Sequence, residues 1–379
     1  MRVIQLLVVI ALVGCTSGDN DAVDHTSAPA PRLAETASLP TDVPERTDEP
    51  QPTEADVSVQ YPIEYLHGVS SDEPTGVQIV AGSFLIDVDT GSARHIAGLP
   101  ELDELNFWSM AAADRAVISA TCTGCTNPHV FVLDRASESV VPIGAGFAAA
   151  APDGVWLTNY ASPTSCTMSK VAFDGSTIRP AEPMDCKSSI RGESEIGLVV
   201  RRSDIEPTHA LLSAVDLSVI ADLTGFNSVV GARVLTKGGK EFGLFDPLTG
   251  EGVEFEAPTS IGTPSAGQLN PDGTLVAVAF GHPAWPGPRQ RLDVWILHLD
   301  TLTWSHLPSM PVAAALKATS YQWLADGRFA IFGDFDHLGS ALATWRPGDP
   351  QLVVHPLAVA TSPGAAMWCT LGAECADEP

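Results

Sequence analysis

The chain has 379 residues, 46 acidic against 20 Lys or Arg side chains, and a formal charge of −26 at pH 7. Such a field disfavours nucleic acid and anionic lipid, because both are gripped through a basic footprint. The acidity reads as a solubility device, although it would also suit basic partners or divalent cations.

The chain opens with Arg2 and an apolar run from Ile4 to Val13 broken only by Gln5, ending in Leu12-Val13-Gly14-Cys15. The run is too short for a permanent span and reads as a secretion signal over residues 1–14. Its last four residues resemble the lipobox of bacterial lipoproteins. The resemblance implies cleavage before Cys15 and acylation of that residue with palmitate-type chains; an ordinary signal peptide with an incidental cysteine is the other reading. A diacyl anchor holds far more firmly than one chain. Residues 16–60 carry ten acidic residues, two Arg and hardly any large apolar side chain. They cannot bury enough surface to offset their ordering entropy, so 15–60 is expected to be a disordered tether reaching roughly 35–40 Å. The protein is therefore expected in the cell envelope, outside the cytoplasm, held to its membrane by lipid. Taking away the +1 of the signal and the −8 of the tether leaves −19 on the body, residues 61–379.

Within the body an apolar run, an acidic turn and a second apolar run recur. The phrase appears as FLIDVDTGSARHI (84–96), VFVLDRASESVVPI (130–143), KVAFDGSTIRP (170–180), LLSAVDLSVIADL (211–223), FGLFDPLTGEGVEF (242–255) and DVWILHLDTLTWSHL (293–307). A more divergent copy is ALATWRPGDPQLVVHPL (341–357). The turn residues Asp89, Asp134, Asp174, Asp216, Asp246 and Asp300 are spaced by about 42 on average, a blade-length repeat. Between them lies a second element, a turn before an apolar strand: AAPDGVWLTNY (150–160), LNPDGTLVAVAF (269–280) and WLADGRFAIFG (323–333). Strand, tight turn, strand, loop, strand, acidic turn, strand is one four-stranded blade.

Through Asn270-Pro271-Asp272-Gly273-Thr274-Leu275-Val276-Ala277-Val278 the chain resembles the TolB-like and tryptophan-aspartate-type propeller repeats. The resemblance covers most of 61–360, with its closest match in the sixth repeat. The expected fold is an all-β propeller of seven four-stranded blades. The fourth and fifth repeats lack the Pro-Asp-Gly turn, which leaves six or eight blades open. The first repeat is short of a strand, so one terminus is expected to complete the ring and remove an exposed edge.

Apart from Cys15, six cysteines remain for an oxidising compartment. Proximity favours three local disulfides, Cys122–Cys125, Cys166–Cys186 and Cys369–Cys375. The spacing of Cys122 and Cys125 also suits a redox motif, but strand-like sequence flanks it where such a site needs a helix N-terminus. Asp334-Phe335-Asp336-His337 and Asp87-Val88-Asp89 look like metal-ligand clusters, yet both lie at strand ends where Asp is turn chemistry. Trp295, Trp304, Trp323 and Trp345 sit in strand-like runs and read as core. Trp285 differs, lying beside Arg289 and Arg291 in GHPAWPGPRQR (281–291), a loop by composition. These three are the candidate contact anchors, with Asp334, Asp336 and His337 as polar neighbours.

The ten histidines form no HxxxH pair, and no phosphate-binding glycine loop, GxSxG elbow, zinc-protease motif or sialidase-type Asp box occurs. No catalytic residue, metal or cofactor is assigned. The leading expectation is a non-catalytic binding or scaffold module for a protein, peptide or envelope polymer. An enzyme with its site in the central funnel, and a structural component of an envelope complex, are the alternatives.

Overall fold

The computed structural model describes residues 66, 68–69, 76–100, 106–112, 115–121, 125–134, 137–202, 209–260, 262–283, 290–314, 319–357 and 368–369. The signal, Cys15 and the tether lie outside them. Among the described residues every regular element is a strand. After β1 (Gly68–Val69) comes a three-stranded antiparallel meander, β2 (Gln78–Ala81), β3 (Phe84–Asp87) and β4 (Ala93–His95). The next runs β5 (Asn106–Ala112), β6 (Arg115–Thr121), β7 (His129–Asp134) and β8 (Ser139–Ala145). It is followed by β9 (Phe147–Ala151), β10 (Gly154–Ser162), β11 (Ser165–Ala172) and β12 (Thr177–Met184). Then come β13 (Ser188–Ser194), β14 (Gly197–Arg202), β15 (His209–Leu212) and β16 (Val219–Leu223). The meander after that is β17 (Phe226–Val230), β18 (Arg233–Gly238), β19 (Glu241–Phe245) and β20 (Gly252–Glu256). A short β21 (Thr263–Pro264) leads into β22 (Gln268–Leu269), β23 (Leu275–Pro283), β24 (Gln290–His298) and β25 (Thr303–His306). Finally β26 (Val312–Ala314) connects to β27 (Ser320–Trp323), β28 (Phe329–Phe335), β29 (Gly339–Trp345) and β30 (Leu352–Pro356), with β31 (Trp368–Cys369) beyond. Pairing of β26 with both β24 and β28 fuses the last two meanders into one 11-stranded sheet.

The repeat is visible in the turns. Between the third and fourth strands one residue accepts the amide of the fourth residue beyond it: Asp87 from Gly91, Ser213 from Leu217, Asp246 from Gly250 and His298 from Leu302. The far residue is left-handed each time, with φ 67° at Gly91, 60° at Leu217, 74° at Gly250 and 54° at Leu302. The landmark aspartates therefore do not share one turn position, because Asp87 rather than Asp89 is the equivalent of Asp246. Where the fourth and fifth repeats lack Pro-Asp-Gly, the turns are Glu195-Ile196, followed by Gly197, and Gly231-Ala232. Gly197 has φ 137°, and a Cβ there would lie 2.4 Å from the Leu212 carbonyl oxygen.

Burial is radial within each meander. β6 is buried along both faces, whereas the outer strands β12, β16 and β20 are mostly exposed. Middle strands packed on both faces are what a propeller requires, since each blade is covered by its two neighbours. The cores lie between consecutive meanders. Trp156, Met168, Leu198 and Val200 join the third to the fourth, and Val199, Leu211, Leu223 and Val234 join the fourth to the fifth. Phe242 and Leu235 meet Val276 and Val278, and Val294 and Ile296 meet Phe329 and Ile331. Ile79 and Leu85 of the first meander pack with Ile118 and Leu133 on one side and with Phe332 and Leu342 of the last on the other. The succession closes on itself, which makes the fold a β-propeller.

Both termini take part in the closure. β1 pairs in parallel with β30, and β31 pairs in parallel with β5 while lying against β27. Arg328 and Asp89, 8% and 3% exposed, form a 2.6 Å ion pair that ties the last meander to the first.

Candidate functional site

Strand β24 alternates cleanly. Leu292, Val294 and Ile296 enter the core shared with the last meander, so Arg291, Asp293 and Trp295 take the opposite face. Hairpin register then sets Trp295 opposite His306 on β25, and Phe280 of β23 opposite Asp293. The rings of Trp295 and His306 stack with centroids 4.4 Å apart. Asp293, only 7% exposed, has Oδ1 2.5 Å from His306 Nε2, while its Oδ2 accepts a 3.0 Å hydrogen bond from Trp295 Nε1. Burial by itself pushes the Asp293 carboxyl up. Hydrogen bonds from His306 and Trp295, the imidazole charge and the nearby Ser260 outweigh it and hold the group below its ordinary value. The result is a solvent-reaching imidazole, aimed by a buried carboxylate and backed by an indole. Ser260 Oγ lies near the carboxylate without a well-formed hydrogen bond to it.

The adjacent hairpin is brought in by β26. Ala313 is the register partner of Arg291, and its carbonyl accepts the Asp336 amide at 3.4 Å. Arg291 and Asp336 thus flank one residue of a connecting strand. Asp334 is exposed at the end of β28 opposite Ser340, and Asp336 and His337 are exposed on the following turn. His337 Nε2 lies 3.3 Å from the Leu66 carbonyl oxygen.

Several expectations change on this geometry. Arg291 belongs to a strand rather than a loop and is 6% exposed, because β23 and β24 extend the ladder to the pair Pro283 and Gln290. Trp285 and Arg289 lie outside the described residues. Trp323 and Trp345 are core, as expected, and Trp295 and Trp304 are half-buried and packed against the core between the fifth and sixth meanders, Trp304 also donating to the Glu256 carbonyl at 2.9 Å. Asp293 and His306 were missed; only the register of their hairpin could have paired them. In Asp87-Val88-Asp89, Asp87 accepts from the Asp89 and Thr90 amides and the Thr90 hydroxyl, while Asp89 meets Arg328.

Cys166 and Cys186 form a disulfide with Cα atoms 5.1 Å apart. Cys166 lies within β11 opposite Met184, and Cys186 lies just past β12. Cys125 is disulfide-bonded, between β6 and β7. Cys369 falls in β31; Cys122 and Cys375 lie outside the described residues.

No protein-family model matches the chain, and no curated protein matches it in sequence. Among solved structures it is similar to TolB from Acinetobacter baumannii, at 11% identity and TM-score 0.42, over 77% of this chain and 68% of that one. An oligogalacturonate lyase from Vibrio parahaemolyticus aligns at 14% identity and TM-score 0.49, over 76% and 91%. A post-proline cleaving enzyme from Rickettsia typhi aligns at 10% identity and TM-score 0.47, over 74% of this chain and half of its own length.

Proposed function

We propose that the protein is a lipid-anchored, extracytoplasmic propeller of seven blades that binds or scaffolds a protein, peptide or envelope polymer without catalysis. The count of seven is supported by taking β22–β25 and β27–β30 as separate blades within their fused sheet. The partner is held on the face carrying the connections between second and third strands. One observation carries this choice of face: on the opposite side, carboxylates are consumed by their own turns. Asp134 accepts the Ser137 amide at 3.0 Å, Asp174 the Ser176 amide at 2.9 Å, and Asp246 the Leu248 amide at 2.8 Å. Acids spent on local geometry offer little to a ligand. The working face instead offers His306 oriented by Asp293, and Asp334, Asp336 and His337 from the adjacent hairpin. Trp285, Arg289 and Arg291 are the anchors of the same reading, Arg291 from within β24.

The test has two parts. Cys15→Ser is expected to abolish membrane partitioning, and unchanged partitioning overturns the anchor. With a partner captured by crosslinking on intact membranes, His306→Ala combined with Trp285→Ala should weaken binding by more than about 2 kcal/mol. Asp246→Ala should leave affinity unchanged; a greater loss at Asp246 moves the working surface to the other side.

A further inference from the structure

Exposed aliphatic side chains gather at one rim. Among the described residues the large hydrophobic side chains left exposed are Ile178, Val215, Val219, Ile220, Leu248 and Val253. Val215 and Leu248 lie in the third-to-fourth-strand turns of the fourth and fifth meanders. The others stand within the first two residues of the strand that follows such a turn, β12, β16 or β20. Two residues beyond the start of the turn, the first and sixth meanders carry Asp89 and Asp300, whereas the fourth and fifth carry Val215 and Leu248, 87% and 67% exposed. Backbone polar groups at both apolar turns are already engaged. Ser213 Oγ accepts the Val215 amide at 3.3 Å, and Arg179 of β12 donates to the Val215 carbonyl at 3.0 Å. Asp246 Oδ1 accepts the Leu248 amide at 2.8 Å, the Asp246 carbonyl accepts the Gly250 amide at 2.8 Å, and Thr249 Oγ1 accepts the Glu251 amide at 3.2 Å.

We infer that this rim seats on a phospholipid bilayer with zwitterionic headgroups, with Val215 and Leu248 entering the interface. A cluster of exposed aliphatic side chains on an otherwise polar surface marks a contact with membrane or protein. An apolar turn gains by leaving water only if its backbone carries no unsatisfied polar group into the apolar layer, and these two turns meet that condition. Protein contacts are anchored by aromatic and Arg side chains. The exposed set here is Val, Ile and Leu alone, and Arg179 is engaged by the Val215 carbonyl and by Glu182. A second copy laid on the same rim would set Asp174, Asp216 and Asp246 against their like, whereas a zwitterionic surface meets them with ammonium groups. Anionic lipid is disfavoured by the same carboxylates and by the −19 of residues 61–379. The inference rests on the proposed anchoring at Cys15 for one thing, a bilayer within reach. With this rim on the bilayer, the face proposed for the partner points away from it.

The probe is a phosphatidylcholine vesicle containing a phospholipid with a photoactivatable diazirine on its acyl chain, incubated with the full chain, irradiated and read by peptide mass spectrometry. Label is expected on residues 213–220 and 246–253, and not on the 298–303 turn of the sixth meander. Val215→Asp with Leu248→Asp gives both turns the residue that their sister turns carry. Both side chains are exposed, so the variant should fold, and label on those peptides should fall about tenfold or more. Flotation of the same vesicles reports the anchor separately, and parent and double variant should float alike. A chain that floats but takes no label on these peptides overturns the inference and leaves the anchor standing; label there without acylation at Cys15 does the reverse. A chain that neither floats nor takes label loses both. Equal label in the double variant, stronger label from phosphatidylglycerol vesicles, or a dimer in sedimentation that the double variant breaks also overturns the inference.

Discussion

His209 sits on β15 with Arg191 and Arg201 beside it; burial first, then those two charges, pushes its pKa from 6.5 down to about 4. In the unfolded chain the same imidazole takes its proton near pH 6.5, so between about pH 6.5 and 4 the unfolded state binds more protons. Stability is therefore lost as pH falls through that window, with a ceiling of about 3 kcal/mol from this one group. Urea midpoints at pH 7.5 and 4.5 should show the loss, and His209→Gln should flatten it. An identical pH dependence in the variant would assign the acid sensitivity to other groups. Lys170 is the opposite case. Burial alone would lower it, but hydrogen bonds to Asp153 and Glu193 raise it, and Glu193 also accepts a 2.6 Å hydrogen bond from Trp156 Nε1. That charge is structural, held between two meanders.

The Cys166–Cys186 disulfide closes a separation of 20 residues across β11 and β12. In the chain-entropy account such a loop contributes roughly 3 kcal/mol by restricting the unfolded chain. Cys166→Ser with Cys186→Ser should lower stability by about that amount in denaturant titration, with the blade still folded. A loss below about 1 kcal/mol would mean that the turn already constrains this stretch. Such turns are strong local organisers. Leu217 and Leu302 are held left-handed at φ 60° and 54°, the position where Gly91 and Gly250 sit without penalty. A leucine there costs on the order of 1–2 kcal/mol, offset by partial burial of each side chain against an inter-blade core.

At the scale of the molecule, closure depends on groups far apart in sequence. Arg328 and Asp89 are separated by 239 residues, and both are buried. Arg328→Ala leaves Asp89 buried without its main counter-charge, and the expected cost is about 3–5 kcal/mol. Arg328→Met with Asp89→Leu should restore most of it, because an apolar pair of similar volume avoids desolvating two charges. Equal instability of the single and double variants would show that the contact closes the ring by packing alone.

The sequence by itself determined the all-β character, the blade-length repeat and the local disulfide at Cys166–Cys186. Each rests on interactions within a few tens of residues, where alternation and turn chemistry act without knowledge of the rest of the chain. It also placed Trp323 and Trp345 in the core. It misjudged Arg291 because Pro and Gly in 281–291 signal a loop, whereas backbone pairing carries the ladder as far as Pro283 and Gln290. Tertiary structure alone decided which ends close the ring, since β1 with β30 and β31 with β5 are pairings with no local signature. It likewise decided that Asp293 meets His306 and that Arg201 stands opposite His209. Those contacts depend on strand register and on which face each strand turns to its neighbour, and a one-residue slip would undo them while leaving composition and repeat length untouched.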